Sequence, residues 1–198
     1  MKGIKNKGGT SMHEDQEWVN QVLNGNKQAY AHLIHKYKDR IYAFLLRMVR
    51  HPQDAQDLTQ ECFIKAYRYL HSYDPQRSLP SWLYRIAVNL YVDAKPASQR
   101  QQNLLEVDEL MLMDDHSPET IYLKYEDLEE LRYQIERLPE TYRIVLTLRY
   151  LEDLTYQEMS EILDISIPTL QVRLHRAKQK LRELFQPKKE GGTLREMC

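Results

Sequence analysis

The feature that most restricts this chain is a set of apolar residues recurring three and four positions apart. Tyr30, Leu33, Ile34, Tyr37, Ile41, Phe44, Leu45 and Met48 form one such series. Residues at this spacing share one face of an α-helix, because a turn holds 3.6 residues. Ala55, Leu58, Cys62, Phe63, Ala66, Tyr67 and Leu70 form a second series; Trp82, Leu83, Ile86, Ala87 and Leu90 form a third. His51-Pro52 divides the first two, and Pro52 is tolerated in a first turn because its missing N–H has no partner there. Residues 71–78 read as a loop. A short helix over about 15–24 is expected ahead of all three. No segment alternates with the two-residue period of a strand, and no fixed-period repeat is present, so the expected fold is all-α.

A second group of helices follows. Ser117-Pro118-Glu119 has the chemistry of a helix start: a capping hydroxyl, a first-turn proline and an acid at the positive end. That helix is expected to run to about Arg137 and to break at Leu138-Pro139. Tyr142, Val145, Leu146 and Leu148 mark the next one. Thr155 and Glu158 are spaced as a capping box before Met159, Ile162 and Leu163. Asp164-Ile165-Ser166 is a tight turn, and Ser166 can cap a last helix lined by Leu170, Leu174, Ala177, Leu181 and Leu184.

At 198 residues the chain suits two small domains. The apolar runs fall short of the roughly 20 residues that span a bilayer, and Met1–Met12 lacks the apolar core of an export signal. Two dissimilar cysteines, Cys62 and Cys198, form neither a disulfide framework nor a zinc spacing, which fits a reducing cytoplasm. Six glycines leave little room for a phosphate-cradling loop. His32, His35 and Asp39 can share a helix face, but no Glu-x-x-His pair accompanies them, and solvated polar positions are the simpler reading. No nucleophile with a base and an orienting group is visible. The chain is therefore expected to have no catalytic residue, metal, cofactor or small-molecule substrate.

The formal net charge of −1 conceals strong segregation. Residues 26–100 carry twelve Lys and Arg against six Asp and Glu; residues 101–130 carry one against ten; residues 165–198 carry eight against three. A block of like charge stays solvated, so a flexible acidic linker is placed at 98–117. It separates a first module, 15–97, from a second, 118–186, with tails at 1–14 and 187–198.

Residues 155–184 combine a short helix, a tight turn and a longer basic helix, the pattern of a helix-turn-helix whose second helix enters the major groove. With Leu170, Leu174 and Ala177 facing inward, Thr169, Gln171, Val172, Arg173, His175 and Arg176 are the candidate readers. Arg can pair two acceptors on guanine, Gln can pair adenine, and Val can touch a thymine methyl. Lys178, Lys180 and Arg182 suit phosphates, which supply affinity without sequence choice. The plain alternative is a helical hairpin with a solvated basic face.

Several ordered segments resemble the extracytoplasmic-function (ECF) sigma factors, the promoter-specificity subunits of bacterial RNA polymerase. Asp54-Ala55-Gln56-Asp57-Leu58-Thr59-Gln60-Glu61-Cys62-Phe63 resembles the family's acidic segment. Trp82-Leu83-Tyr84-Arg85-Ile86-Ala87-Val88-Asn89 with Asp93 resembles its DNA-opening helix. Leu138-Pro139-Glu140-Thr141-Tyr142-Arg143 with Leu148-Arg149-Tyr150, then Thr155-Tyr156-Gln157-Glu158-Met159 and Arg173-Leu174-His175-Arg176-Ala177, resemble its second domain. The resemblance covers roughly 18–96 and 122–185. It implies two helical domains, sigma regions two and four.

On this resemblance Asp54, Asp57, Gln60 and Glu61 dock on the clamp helices of the polymerase largest subunit, and the second domain meets the beta flap. Tyr73, Arg77, Trp82, Tyr84, Arg85, Asn89 and Asp93 bind the −10 element. Thr169, Gln171, Val172, Arg173, His175, Arg176, Lys178 and Lys180 bind the −35 element. The resemblance also implies a stress- or envelope-related regulon and an anti-sigma partner, commonly membrane-bound, that holds the protein inactive. Without the resemblance, the acidic residues read as a solvated face and Trp82 reads equally as a core aromatic. Two departures from the family are present. Ala94-Lys95-Pro96 replaces a run of basic residues and shortens the −10 helix. Pro168-Thr169-Leu170-Gln171 replaces a Gly-Thr-Val-Lys/Arg start, which moves base preference from guanine toward adenine. A free-standing helix-turn-helix regulator remains the rival reading; it accounts for residues 118–185 and leaves the first module without a role.

Overall fold

The computed structural model describes residues 8–96 and 128–185. Ser117-Pro118-Glu119, the acidic linker, the expected tail over 187–198 and Cys198 lie outside them. The described residues form α1 (Gly8–Leu23), α2 (Tyr30–Val49), α3 (Pro52–Arg68), α4 (Leu79–Asp93), α5 (Leu128–Arg137), α6 (Glu140–Leu146), α7 (Tyr156–Leu163) and α8 (Ile167–Phe185). No strand occurs among the described residues.

In the first module α2, α3 and α4 pack side by side, with α1 against α2. The expected stripes supply the core: Ile41, Phe44, Leu45, Ala55, Cys62, Ala66, Leu83 and Ala87 are all buried. Burying one such large side chain contributes about 1.5–3 kcal/mol. The breaks fall where their chemistry requires. Arg50 ends α2 in a left-handed conformation at φ 59°. His51 then caps α3, its ring nitrogen accepting from the Asp54 N–H at 3.4 Å, and Pro52 takes the first helical position. Ser78 caps α4, and α4 stops at Asp93, ahead of Pro96.

Helix α1 starts at Gly8, so the expected tail over 1–14 gives way to helix along residues 8–14. Val19 and Val22 are buried, and Asp15, 3% exposed, accepts from the Tyr37 hydroxyl at 2.5 Å and from Lys36 at 2.6 Å. A helix anchored this firmly extends backward at little cost, because propagation is far easier than nucleation.

The second module places α8 across α6, with α5 and α7 alongside. Leu146, Leu148, Met159, Leu170, Leu174 and Leu181 fill its centre. One departure from the expected pattern lies after α6. Residues Thr147–Leu151 form a π-helical turn, which ends with the Glu152 N–H donating to the Thr147 carbonyl at 3.1 Å and with Asp153 left-handed at φ 55°. The two modules pack against each other, α4 on α7 and α2 on α6.

Candidate nucleic-acid interface

Helices α7 and α8 form the expected helix-turn-helix. The Thr155 hydroxyl accepts from the Glu158 N–H at 3.2 Å while the Glu158 carboxylate accepts from the Thr155 N–H at 2.9 Å, the reciprocal pair of a capping box. Asp164 closes α7 in a left-handed conformation, and the Ser160 hydroxyl donates to the Ile165 carbonyl at 2.6 Å. Ser166 opens α8 by accepting from the Thr169 N–H at 3.3 Å. Side chain-to-backbone bonds therefore hold the turn from both sides and fix the direction of α8.

On α8, Gln171, Val172 and His175 are exposed, while Thr169, Arg176 and Lys178 are half-buried. Lys178 lies over the Tyr150 ring at 5.9 Å, and Lys180 is exposed and paired with Glu183 at 2.8 Å. Arg173 departs from the expected set. It is 8% exposed, and burial lowers the pKa of its guanidinium. The position follows Leu170 by three residues and precedes Ala177 by four, which puts it on the edge of the buried stripe. Arg173 is a structural residue of the module, not a reader of bases.

In the first module Asp54, Asp57 and Gln60 are exposed and Glu61 is half-buried. Asp57 accepts from Gln53 at 3.2 Å. Beside them lies a groove of about 760 Å³ between α2 and α3, lined by Tyr30, Ile34, Gln60, Phe63, Ile64 and Tyr67. Ile64 and Tyr67 are exposed apolar residues that sequence reasoning left in the core stripe or unplaced. An apolar residue at the stripe's margin reads the same whether it faces the core or a groove.

The residues expected at the −10 element separate into two groups. Arg85, Asn89 and Asp93 are exposed at four-residue steps along one face of α4, and Arg77 is exposed in the preceding loop. Trp82 is half-buried against Tyr73, with ring centres 5.5 Å apart. Tyr73 is 7% exposed, and its hydroxyl donates to the Arg77 carbonyl at 2.6 Å. Burial pushes that phenol up to about 12. Tyr84 is 1% exposed and packs edge-on against Phe44 at 5.3 Å. Its hydroxyl donates to Glu152, and burial first, then the neighbouring carboxylate, raises its pKa. Neither tyrosine presents a ring face for a base to stack on, so both depart from the expected contact set. Tyr73 braces the loop and Tyr84 belongs to the core.

Sequence reasoning gave no sign of the acidic side chains that the second module sets against this region. Glu152, 7% exposed, receives Arg40 at 3.2 Å as well as Tyr84. Glu158 accepts from the Ser81 hydroxyl at 2.7 Å, and Glu161 pairs with Arg77 at 2.7 Å. Burial pushes the Glu158 carboxyl up, but the hydrogen bonds from Ser81 and Thr155 outweigh it and hold the group below the usual carboxylate range. Farther along the seam, Arg143 donates to the Met48 carbonyl at 3.3 Å, and Lys95 pairs with Glu140.

A helical module with an exposed acidic face, followed by a helix-turn-helix, is the arrangement of sigma-70-type transcription factors. Comparison with known families agrees: sigma-70 region 2 matches residues 33–101, and sigma-70, region 4 matches residues 128–181. The ECF RNA polymerase sigma factor SigW of Bacillus subtilis is 34% identical, the match covering 83% of this chain and 93% of SigW. The ECF RNA polymerase sigma-E factor of Escherichia coli is 33% identical over 87% of this chain and 95% of its own length. CnrH, solved in complex with the cytosolic domain of CnrY, has a similar fold, with a TM-score of 0.62 at 21% identity over 87% of this chain and 97% of CnrH. RpoE of Bartonella quintana, solved with the anti-sigma factor NepR, gives a TM-score of 0.58 at 21% identity over 79% of this chain and 96% of RpoE.

The chain belongs to the ECF family of sigma factors. It is a transcription-initiation specificity subunit that binds core RNA polymerase and promoter DNA, and it is not an enzyme. None of the described helices is long and apolar enough to cross a membrane.

Proposed function

We propose that the first module, residues 15–97, docks on core polymerase and opens the −10 element, while residues 118–186 grip the −35 element in the major groove. Asp54, Asp57, Gln60 and Glu61 form the polymerase-facing surface. Arg77, Trp82, Arg85, Asn89 and Asp93 contact the melted strand, where cations follow the backbone and an aromatic ring receives an unstacked base. Gln171, Val172, His175 and Arg176 read base edges, with Thr169, Lys178 and Lys180 on the flanking phosphates. The observation that carries this reading is the capped turn that presents Gln171, Val172 and His175 to solvent while Leu170, Leu174 and Ala177 anchor the back of the same helix.

An anti-sigma partner holds the protein inactive in the cytoplasm and, when membrane-bound, keeps it at the membrane; the NepR-bound fold neighbour supports control of this kind. Run-off transcription with core polymerase on a genomic promoter pool tests the reading. Transcripts that require this chain are expected, and their aligned upstream sequences identify both elements. A folded chain that stimulates no transcript refutes it.

A further inference from the structure

We propose that the groove between α2 and α3 is a binding site for a long-chain fatty acid. Its floor is apolar, built from Tyr30, Ile34, Phe63, Ile64 and Tyr67, and none of its lining residues is acidic. Tyr30, Ile34, Lys38 and Tyr42 stand at four-residue steps, so they share one face of α2. A concave apolar site of this size with a few polar groups at its edge suits a small apolar molecule. The charge of that molecule follows from the rim. Two residues join α2 to α3, and Tyr30 meets Phe63 and Tyr67, so the helices run antiparallel. Lys27 and Arg68, both exposed, therefore lie at the same end of the groove. Among the described residues no carboxylate pairs with either of them or with Lys38.

The groove is a furrow between helices in direct contact. The Tyr30 hydroxyl donates to the Phe63 carbonyl at 2.7 Å, and the Tyr30 and Tyr67 ring centres are 5.0 Å apart. A partner helix, about 10–12 Å across, would rest on the rim and reach the floor only with its side chains. A single acyl chain can lie along the floor, its carboxylate between Lys27 and Arg68 in a charge-assisted pairing. The chain would cover Ile64 and Tyr67, both exposed, while the Lys38 stem lies beside it with the ammonium in water. Gln60 lines the same groove, so occupancy competes with polymerase docking. That consequence rests on the polymerase-facing surface proposed above; the site itself does not.

Displacement of cis-parinaric acid, a fluorescent fatty acid, from the full chain tests the site, with every amphiphile below its critical micelle concentration. Laurate is expected to displace the probe. Decanoate is expected to be weaker by about fivefold or more, since one fully buried methylene is worth about fourfold in affinity. Dodecyltrimethylammonium has the tail of laurate and the opposite charge, and is expected to compete about tenfold more weakly. K27Q/R68Q, changed at exposed positions, is expected to weaken laurate by about tenfold. R137E removes the same charge outside the groove and is expected to leave laurate binding unchanged. In methyl spectra of the isoleucine-labelled chain, laurate is expected to shift Ile34 and Ile64 and to spare the buried Ile135 and Ile162 of the second module.

Laurate that fails to displace the probe overturns the proposal and leaves the groove to a partner protein. Equal competition by the cationic amphiphile makes the groove an unselective apolar surface. Binding to phosphatidylglycerol vesicles without binding to laurate makes it a membrane contact. Either result overturns the site, as do shifts confined to Ile135 and Ile162. Should K27Q/R68Q misfold, I64E, at an exposed position, must abolish the Ile34 shift; a shift that persists overturns the site. Capture of core polymerase by the laurate-loaded chain is read separately. Unchanged capture overturns the competition and leaves the acyl site standing.

Discussion

Cys62 shows how far one residue's surroundings set its chemistry. Its side chain is fully buried between α3 and α4, and its thiol donates toward the Leu83 carbonyl at 3.7 Å. Burial pushes the thiol from its ordinary 9.0 to about 12, only partly offset by Lys65. Thiolate is the reactive form, so native Cys62 is inert at neutral pH. With C198S as background, a thiol reagent such as DTNB is expected to react with the unfolded chain and not with the folded one. Because the folded-state value is the higher one, the stability contributed by the neutral thiol is complete below about pH 9 and is lost as the pH rises toward 12. A C62A variant is expected to show a flatter decline of melting temperature across that alkaline window, measured by circular dichroism.

Among the elements, α8 divides its arginines between two tasks. Arg176→Ala is expected to cost about 1–3 kcal/mol of promoter binding and to relax selection at one −35 base pair. Arg173→Ala is expected to lower the melting temperature and leave base selection unchanged. Promoter-selection sequencing and thermal denaturation of both variants check the pair. The elements themselves were largely legible beforehand. The apolar stripes of α2, α3 and α4, the break at His51-Pro52 and the capping box at Thr155 each leave a local pattern, and local patterns survive in a linear text. Arg173 was misplaced because spacing gives an angular position, and a long side chain at the edge of a stripe turns either way. Tyr84 was misplaced for a related reason: its motif position implied DNA, while its burial depends on Phe44, forty residues earlier. The partner of Arg40 lies 112 residues away, and no periodicity encodes such a pair.

For the whole molecule, the near-neutral total is a sum of opposed surfaces. The ten acids over 101–130 are expected to compete with nucleic acid for the basic faces through long-range attraction, which salt screens within about 8–10 Å at moderate ionic strength. Deleting residues 101–114 is expected to raise polymerase-independent DNA affinity several-fold at low salt and to have less effect at high salt. Fluorescence anisotropy across a salt series measures it.

The π-helical turn over Thr147–Leu151 has a consequence for how such a chain can be retuned. That turn holds one more residue than an α turn, so it resets the angular phase of everything after it. Removing one residue and restoring regular helix would rotate Glu152 by about 100° around the axis, since an α-helix advances 360° in 3.6 residues. Glu152 would then turn away from Arg40 and Tyr84, and Leu154 and Met159 behind it would have to repack. The extra residue in this turn is thus a gear that sets the grip between the two halves, although it lies outside the residues assigned to DNA.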